Sequence, residues 1–297
     1  MKVAIIGGGA IGLLTASLLS KNGIASVVYC RTVQQAALLR EKGLLYRKEV
    51  TETISLKALP ISEMKYTEDV MMVCVKQPSL HALQDMFFDQ RTKGKTFLFL
   101  QNGMSHVRMM NQLADAGRTV WAGVAEHGVW KEGERTVRHT GVGRLRLAPV
   151  SLKGDNPWRE LFGGKSIIEI LDDYLPMLSE KLIINASINP VTALFRVRNG
   201  KLLENPHFRW IMKELFKEAV CVLGMVEHKE RLLEDLYRIC RNTSDNRSSM
   251  LRDIESKRKS EIESISGYII EIARQEGIQT PATVMVFEGI KGMEWEG

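Results

Sequence analysis

The sequence predicts two domains, first an α/β domain built on a doubly wound parallel sheet and then an all-helical domain. Short apolar runs alternate with helical segments in the first part of the chain, which is typical of a parallel sheet covered by helices on both faces. A glycine-rich turn follows the first apolar run, and helical periodicity dominates from Asp172 onward. A chain of 297 residues can hold two separate cores, and we place the domains at 1–171 and 172–297.

The first domain is predicted to alternate strands and helices from its first residues. Residues 2–6 form a β-branched apolar run typical of a buried strand, and Ala10–Lys21 is expected to be a helix that ends at Asn22-Gly23. Further strands are predicted at Ser26–Cys30, 70–75 and 96–100, and further helices at 34–42 and from Pro78. Three more strands with glycine-rich connections are expected at Thr119–Ala125, 136–147 and 165–170.

The second domain is predicted to be helical throughout, because its apolar residues recur at intervals of three and four. The helices are expected at 173–198, 207–225, 229–241, 249–275 and 282–293. Pro190 lies inside the first of these helices and should bend it, because proline removes a backbone donor.

The glycine-rich turn predicts a Rossmann-type dinucleotide site. Residues 7–12 read Gly-Gly-Gly-Ala-Ile-Gly, which matches the G-x-G-x-x-G pattern between a strand and a helix. Gly7 permits the tight turn, Gly9 lets the backbone approach a pyrophosphate, and Gly12 allows close helix packing. Ala10 and Ile11 open the helix, whose free N–H groups can bind the anion. The alternative is a glycine-rich turn that holds no ligand.

The end of the second predicted strand favours NADP over NAD. NAD sites usually place a carboxylate there, on the ribose hydroxyls. This chain has Tyr29-Cys30-Arg31-Thr32 instead. Arg31 can pair with a 2′-phosphate through charge-assisted hydrogen bonds, although a surface arginine on a loop would look the same.

A polar stripe marks the first helix of the second domain. Lys181, Asn185 and Asn189 are spaced by four residues and therefore share one face of a helix, with apolar residues between them. Asparagine is a poor helix former and contributes little on a plain solvent-facing surface, which remains the alternative. The stripe therefore suggests ligand contacts, and we hypothesise that Lys181 is a general acid that protonates a developing alkoxide.

Several short motifs, taken in order, resemble the ketopantoate reductase family over nearly the whole chain. They are the glycine turn, Val75-Lys76, Gln101-Asn102-Gly103, the segment Lys181 to Pro190, the segment Ser248 to Asp253, Ser260-Glu261-Ile262 with Gly267, and residues 277–281. The resemblance implies a Rossmann domain followed by an all-helical domain. It also implies reduction of ketopantoate to pantoate with NADPH, on the route to pantothenate and coenzyme A.

The resemblance further implies roles for individual side chains. Lys181 would be the catalytic lysine, and Glu261 would stand near both ligands, orienting the lysine and accepting a hydrogen bond from a substrate hydroxyl. Lys76 and Asn102 would line the nicotinamide side of the cofactor. The residues expected to bind substrate are Asn102, Asn185, Asn189, Asn199 and Ser249, with Asn246 a further polar match. By sequence alone Glu261 cannot be told from Glu263, Ser249 could equally cap a helix, and Lys76 could simply end a strand.

Two departures from the family pattern affect the substrate more than the chemistry. Ser179-Glu180 stands where the family often has a tryptophan, and Thr283 stands where an asparagine is common. Related reductases of other 2-keto acids share the pattern, as do β-hydroxyacid dehydrogenases in their Lys-x-x-x-Asn stripe. Lys76, Asn189 and the segment leading to Glu261 favour ketopantoate reductases over the latter. A non-catalytic NADP-binding regulator is a third reading, which the intact Lys181 and Glu261 oppose.

Composition narrows the partners and the compartment. The four cysteines form no C-x-x-C pair, and Cys30 and Cys74 lie in apolar runs, which predicts buried thiols and a cytoplasmic protein. His127 and His139 are not spaced like metal ligands, so we expect no metal ion. No apolar run is long enough for a membrane span, and the densest charged run, 252–263, mixes both signs, which disfavours nucleic-acid binding. The net charge of +6 suits an anionic ligand as well as a mildly basic surface, and a homodimer is compatible with the sequence.

Overall fold

The computed structural model describes residues 1–151, 156–163 and 167–295. Two compact units divide the chain. The first unit comprises Met1–Gln101 and His106–Met177, and the second comprises Asn102–Ser105 and Leu178–Gly297. The short segment Asn102–Ser105 therefore belongs with the C-terminal part of the chain, although it lies far from that part in sequence.

The strands and helices are numbered in chain order. The strands are β1 (Val3–Ile6), β2 (Ser26–Cys30), β3 (Leu44–Arg47), β4 (Thr51–Ile54), β5 (Lys57–Pro60), β6 (Val70–Val73), β7 (Thr96–Phe99), β8 (Thr119–Ala125), β9 (Gly128–Gly133), β10 (Thr136–Gly141), β11 (Leu145–Pro149) and β12 (Ile168–Ile170). The helices are α1 (Ala10–Lys21), α2 (Val33–Lys42), α3 (Gln84–Phe88), α4 (Val107–Asp115), α5 (Trp158–Phe162), α6 (Tyr174–Phe195), α7 (Lys201–Glu204), α8 (Pro206–Val222), α9 (Lys229–Asn242), α10 (Ser249–Glu255), α11 (Tyr268–Glu276) and α12 (Pro281–Met293).

The main sheet of the first unit has the order of a doubly wound dinucleotide-binding fold. Among the described residues its strands run β12-β11-β8-β7-β6-β1-β2-β5. From β5 to β8 all neighbours are parallel, and β11 then pairs antiparallel with β8. The chain adds β2 and β5 on one side of β1 and then returns to add β6, β7 and β8 on the other side. The strand order therefore reverses between β1 and β6, and doubly wound sheets bind their ligands at such a point. The predicted fold class is therefore confirmed, with the α/β sheet first and helices after it.

A second, smaller sheet covers α1 and was not predicted. Its order is β4-β3-β10-β9, made of two antiparallel hairpins joined by parallel pairing of β10 with β3. Leu13 of α1 belongs to one apolar core together with Ile5 of the main sheet and with Tyr46 and Val137 of the small sheet. Strands β3 and β4 escaped prediction because they have four residues each, and β4 is largely exposed and polar. Strands β5 and β9 were missed as well.

The single strand predicted at 136–147 is wrong. The segment contains β10 and β11, which lie in different sheets. The chain turns between them at Gly143, where an added Cβ would lie only 2.3 Å from the carbonyl oxygen of Glu126. Alternation alone cannot show that a run of strand-forming residues changes sheets in the middle. Of the strand predicted at 165–170, Lys165 and Ser166 lie outside the described residues.

The helix predicted at 249–275 is also wrong, because the chain leaves the helix after Glu255. Lys257 has a positive φ of 51°, and the Arg258 guanidinium folds back to donate to Asp253 at 3.1 Å. The helix resumes with a π-helical turn at Glu263–Gly267 before α11. Pro78 likewise opens two 3₁₀ turns rather than a long helix, and the other predicted helices are confirmed to within a few residues.

Burial of the thiols matches the prediction from their apolar surroundings. Cys30, Cys74 and Cys240 are buried free thiols, whereas Cys221 is exposed. Burial raises the pKa of the Cys74 thiol to about 12, so the thiol stays protonated and packs as a small apolar group. In the part of the chain that the structure describes, each helix is too short or too polar to cross a bilayer.

His106 is a buried histidine held in its neutral form. Its ring is 1% exposed and stacks on Phe99 with ring centroids 6.2 Å apart. The Gln77 side-chain amide lies 2.5 Å from its Nδ1. Desolvation lowers the pKa of His106 to about 3, because a buried imidazolium would lose its hydration.

We expect the neutral His106 to make the fold acid-sensitive. The folded pKa lies below that of the unfolded chain, so its stability contribution is present above pH 6.5 and is lost as the pH falls towards 3, by about 1.4 kcal/mol per pH unit. Urea unfolding of the wild type and of His106→Gln at pH 7.5 and pH 5 measures this slope. The variant should be less stable at pH 7.5 but should lose less stability on acidification. An exchange of the exposed His207 for glutamine is the control, and equal slopes in all three proteins would refute the assignment.

Candidate functional site

The glycine turn of the first unit is held by backbone contacts that only glycine permits. Gly7 follows β1 with φ +115°, and its N–H donates to the Tyr29 carbonyl at 2.9 Å. A Cβ at Gly12 would lie 1.9 Å from the Gly7 carbonyl oxygen. A Cβ at Gly9 would instead meet only the Cys74 carbonyl, at 4.0 Å. The turn therefore packs tightly on its inner side and leaves open space beside Gly9.

The start of α1 is suited to an anion. Gly9 occupies the N-cap, and within the described residues no side chain caps the helix and no acidic residue lies in its first turn. Ala10 and Ile11 are half-buried at this end. The first N–H groups of a helix have no partner inside it and carry partial positive charge. The helix start therefore offers free N–H groups on which an anion can be held, and the binding of a pyrophosphate there stays a prediction of the motif.

Arg31 lies at the carboxyl end of β2, exposed, where the ribose of a dinucleotide is recognised in this fold. The next residue, Thr32, caps α2 by accepting a hydrogen bond from the Gln35 N–H at 3.3 Å. Gln35 is only 6% exposed. Its Nε2 donates to the Gly8 carbonyl at 2.7 Å and to the Glu134 carbonyl at 2.9 Å.

Gln35 thus connects the glycine turn to the β9–β10 hairpin. Sequence reasoning missed this residue, because its acceptors are 27 and 99 positions away. Nothing in the local pattern distinguishes it from the neighbouring polar residues of α2.

Lys76 follows β6, the strand on the other side of β1 from β2, at the same edge of the sheet. Strand β6 ends at Val73, two residues before the predicted end, and Lys76 is exposed just before the turn Gln77–Ser79. The Gln101 side chain, 5% exposed, donates to the carbonyls of Val73 and Val75 at 2.8 and 3.0 Å. These bonds hold the segment that leads to Lys76, a role the sequence did not reveal.

In the second unit the predicted polar stripe lies on α6, a helix that is otherwise core. Lys181 and Asn185 are half-buried, and Asn189 is 7% exposed. The intervening Leu182 and Ile183 are almost completely buried. The stripe is therefore not a plain solvent-facing surface, since its last member is almost fully covered.

The helix continues through Pro190 to Phe195. Hydroxyl groups on either side of Pro190 bond back to the helix, with Ser187 Oγ donating to Ile183 at 2.7 Å and Thr192 Oγ1 lying 3.0 Å from the Ile188 carbonyl. The two hydroxyl groups therefore lie within hydrogen-bond distance of helix carbonyls near Pro190, which has no backbone N–H of its own to donate.

Glu261 and Asn102 are hydrogen-bonded although 159 residues separate them. The Asn102 Nδ2 donates to Glu261 Oε2 at 3.0 Å, and Glu261 is 7% exposed. Glu263 is exposed and pairs with Lys291 at 2.7 Å. The structure therefore separates the two glutamates that sequence alone could not, because only Glu261 is buried among polar partners.

A close backbone contact holds this pair. Gly103, with φ +78°, lies so near the π-helical turn that a Cβ would be 2.2 Å from the Ser264 carbonyl. Ser264 Oγ in turn donates to the Glu261 carbonyl at 3.0 Å. On the N-terminal side of Glu261, the Glu294 carboxylate accepts a hydrogen bond from the Ser260 N–H at 2.7 Å. Isolated π turns are frequent at functional sites, and no local sequence pattern indicated this one or the Glu294 contact.

The remaining predicted residues have identifiable contacts. Ser248, not Ser249, caps α10 by accepting from the Leu251 N–H at 3.0 Å, so Ser249 is an exposed first helical residue. Asn199 is buried, and its Nδ2 donates to Thr243 Oγ1 at 2.8 Å. Its Oδ1 has no hydrogen-bond partner among the described residues. Asn199 thus ties the turn after α6 to the loop after α9 and keeps one buried acceptor unused.

His127 and His139, which we expected to be ordinary polar residues, form a short hydrogen-bonded chain in which His127 is half-buried and His139 is buried. His127 Nδ1 lies 3.1 Å from His139 Nε2, and Tyr46 Oη lies 2.6 Å from His139 Nδ1. Desolvation lowers the pKa of His127 to about 4 and lowers that of His139. Among the described residues no group of three His, Cys, Asp or Glu side chains could hold a metal ion.

Comparison with known proteins connects both units to one family. A family model described as ketopantoate reductase PanE/ApbA matches residues 3–151, and its C-terminal counterpart matches residues 173–294. The 2-dehydropantoate 2-reductase of Bacillus subtilis (strain 168) is 35% identical, over 99% of this chain and 98% of that protein. The crystal structure of a probable 2-dehydropantoate 2-reductase panE from Bacillus subtilis has a TM-score of 0.85 at 32% identity and covers 99% of this chain and 100% of that one. D-mandelate dehydrogenase, in a ternary structure with NADH and anilino(oxo)acetate, is similar in fold, with a TM-score of 0.82 at 19% identity over 99% of this chain and 98% of that one.

Two matched glycine substitutions test the contact between Gly103 and Ser264. Gly103 and Gly117 have nearly equal φ values of 78° and 80°, but a Cβ at Gly117 meets nothing within 4 Å. Gly117→Ala should therefore cost about 1 kcal/mol for the backbone alone. Gly103→Ala should cost about 3 kcal/mol or more, because it adds a steric clash. Urea unfolding measures both, and similar losses for the two variants would contradict the close approach.

Proposed function

The chain belongs to the ketopantoate reductase family, and we propose that it reduces 2-dehydropantoate to pantoate with NADPH. The observation that carries the proposal is the hydrogen bond between the half-buried Asn102 and the buried Glu261, because the family resemblance assigns both residues to one site. The relatives named 2-dehydropantoate 2-reductase support 2-dehydropantoate as the substrate. The product, pantoate, would enter the pathway to pantothenate and coenzyme A. The buried, protonated thiols suit a reducing compartment, and we place the activity in the cytoplasm.

The residues of the first unit fit a dinucleotide. The open space beside Gly9 and the start of α1 would hold the pyrophosphate. When bound, a reduced nicotinamide supplies the hydride that the ketone carbon accepts. Gln101 would hold the segment carrying Lys76, which by family resemblance lines the nicotinamide side.

Lys181 is the proposed general acid. Reduction of a ketone places negative charge on its oxygen, and an ammonium group can both stabilise that charge and donate the proton. Lys181 is half-buried on a helix that is otherwise core. Glu261 would accept a hydrogen bond from a substrate hydroxyl and orient the lysine, with the Asn102 amide fixing the carboxylate.

The polar residues around this lysine would bind the substrate. Asn185 and Asn189 continue the stripe along α6, and the buried Asn199 offers an unused Oδ1 acceptor. Ser249 is exposed at the start of α10, and its hydroxyl does not cap the helix because Ser248 provides the cap. These amide and hydroxyl groups match the carboxylate and hydroxyl groups of a small keto acid.

The catalytic role of Lys181 is tested by following NADPH oxidation at 340 nm with ketopantoate. Lys181→Ala should lower kcat by about 100-fold or more, which is the usual contribution of general acid catalysis. Lys201→Ala is the matched control, because Lys201 is an exposed lysine of the same unit, paired with Glu204. Near-normal turnover in Lys181→Ala would eliminate the proposed role.

The same assay decides the substrate. A panel of other 2-keto acids, run beside ketopantoate, identifies a related reductase if one of them is turned over and ketopantoate is not. Cofactor binding with no turnover of any of them would identify a non-catalytic NADP-binding protein instead.

Arg31 is expected to set the cofactor preference. Arg31→Ala should raise the KM for NADPH by about tenfold or more, because it removes a charge-assisted contact to the 2′-phosphate. The KM for NADH should change little, since NADH carries no such phosphate. Arg40→Ala, at an exposed arginine of α2, the helix that follows Arg31 and Thr32, is the control. Equal use of both cofactors by the wild type would overturn the NADPH assignment.

A further inference from the structure

The β9–β10 hairpin lies against the end of β2 and the glycine turn. Gln35 Nε2 bonds the carbonyls of Gly8 and Glu134 at 2.7 and 2.9 Å, so one buried amide holds both backbones. Arg135 donates to the Lys42 and Gly43 carbonyls at the far end of α2. The hairpin turn is therefore attached near both ends of the helix that begins immediately after Arg31 and Thr32.

Two charged side chains of this hairpin lie close to the last residue of β2. Burial raises the pKa of the Cys30 thiol to about 11, and the nearby Lys131 lowers it while the nearby Glu134 raises it. Val137, the partner of Lys131 across the hairpin, lies in the same apolar core as Cys30, the residue directly before Arg31. Lys131 and Glu134 form an ion pair of 3.0 Å, and the Lys131 side chain is only 26% exposed.

We propose that Lys131, on the β9–β10 hairpin, is a second specificity-determining cation for the 2′-phosphate of NADP, in addition to Arg31. The inference rests on the proposed NADPH dependence. A ribose phosphate carries a charge of about −1.5 to −2, which one arginine does not neutralise. Lys131 is more covered than a typical surface lysine, and partial burial strengthens its attraction for a phosphate.

Glu134 acts as the counter-ion of Lys131 when no phosphate is present. Its side chain is 58% exposed, so the pair is weak and a phosphate can replace the carboxylate. Its backbone stays in place because its carbonyl is bonded to Gln35. Glu134 therefore both holds Lys131 near the site and lowers the affinity for a phosphate through its own charge.

The test compares two fragments of the cofactor that differ only in the 2′-phosphate. Binding of adenosine 2′,5′-bisphosphate and of 5′-AMP to the full-length protein is measured by isothermal titration calorimetry at fixed low salt. Lys131→Met should weaken the bisphosphate by about tenfold and leave 5′-AMP unchanged, which also reports that the site is folded. Glu134→Gln should tighten the bisphosphate. Lys48→Met is the matched control, because Lys48 is an exposed lysine on the other hairpin of the same sheet.

The outcomes separate this inference from the proposed function. If the wild type binds both fragments equally, its NADP preference fails, and Lys131 has no phosphate to recognise. If the wild type prefers the bisphosphate and Lys131→Met keeps that preference, the inference is overturned and the NADPH dependence stands. A loss confined to the bisphosphate in Lys131→Met and absent in Lys48→Met supports it.

Discussion

The close approach of two backbones at the glycine turn is the constraint on which the first unit depends. With a Cβ at Gly12 only 1.9 Å from the Gly7 carbonyl, any other residue would force α1 away from β1. The position of α1 fixes the direction of its free N–H groups, and the small sheet packs on the same helix. A comparable contact in the second unit, between Gly103 and Ser264, places Asn102 beside Glu261. In both units, the absence of a side chain lets functional groups meet.

Long side chains that bond backbone carbonyl or N–H groups complete these arrangements. Gln35 and Gln101 each use one amide to hold two carbonyls, and Glu294 holds the N–H of Ser260 next to Glu261. Each bond satisfies a buried polar group that would otherwise be costly. Because the bonds join segments far apart in sequence, they fix the positions of the candidate ligand-binding residues relative to the scaffold.

The sequence by itself determined the order of the main elements and the identity of most candidate residues. The glycine spacing, the apolar runs and the i, i+4 stripe are local patterns whose period follows from helix and strand geometry. They predicted α1 to the residue, the doubly wound sheet and the placement of Lys181, Asn185 and Asn189 on one helix. Family resemblance, not periodicity, selected Glu261, and local pattern could not separate it from Glu263.

Only the tertiary structure decided which polar residues are buried and which partners they have. Glu261 differs from Glu263 because Asn102 reaches it from a remote loop, whereas Glu263 pairs with Lys291 near the surface. The small sheet and the turn at Gly143 likewise depend on contacts across the chain. Such contacts leave no local period, because burial and pairing depend on distances in space rather than on spacing along the sequence.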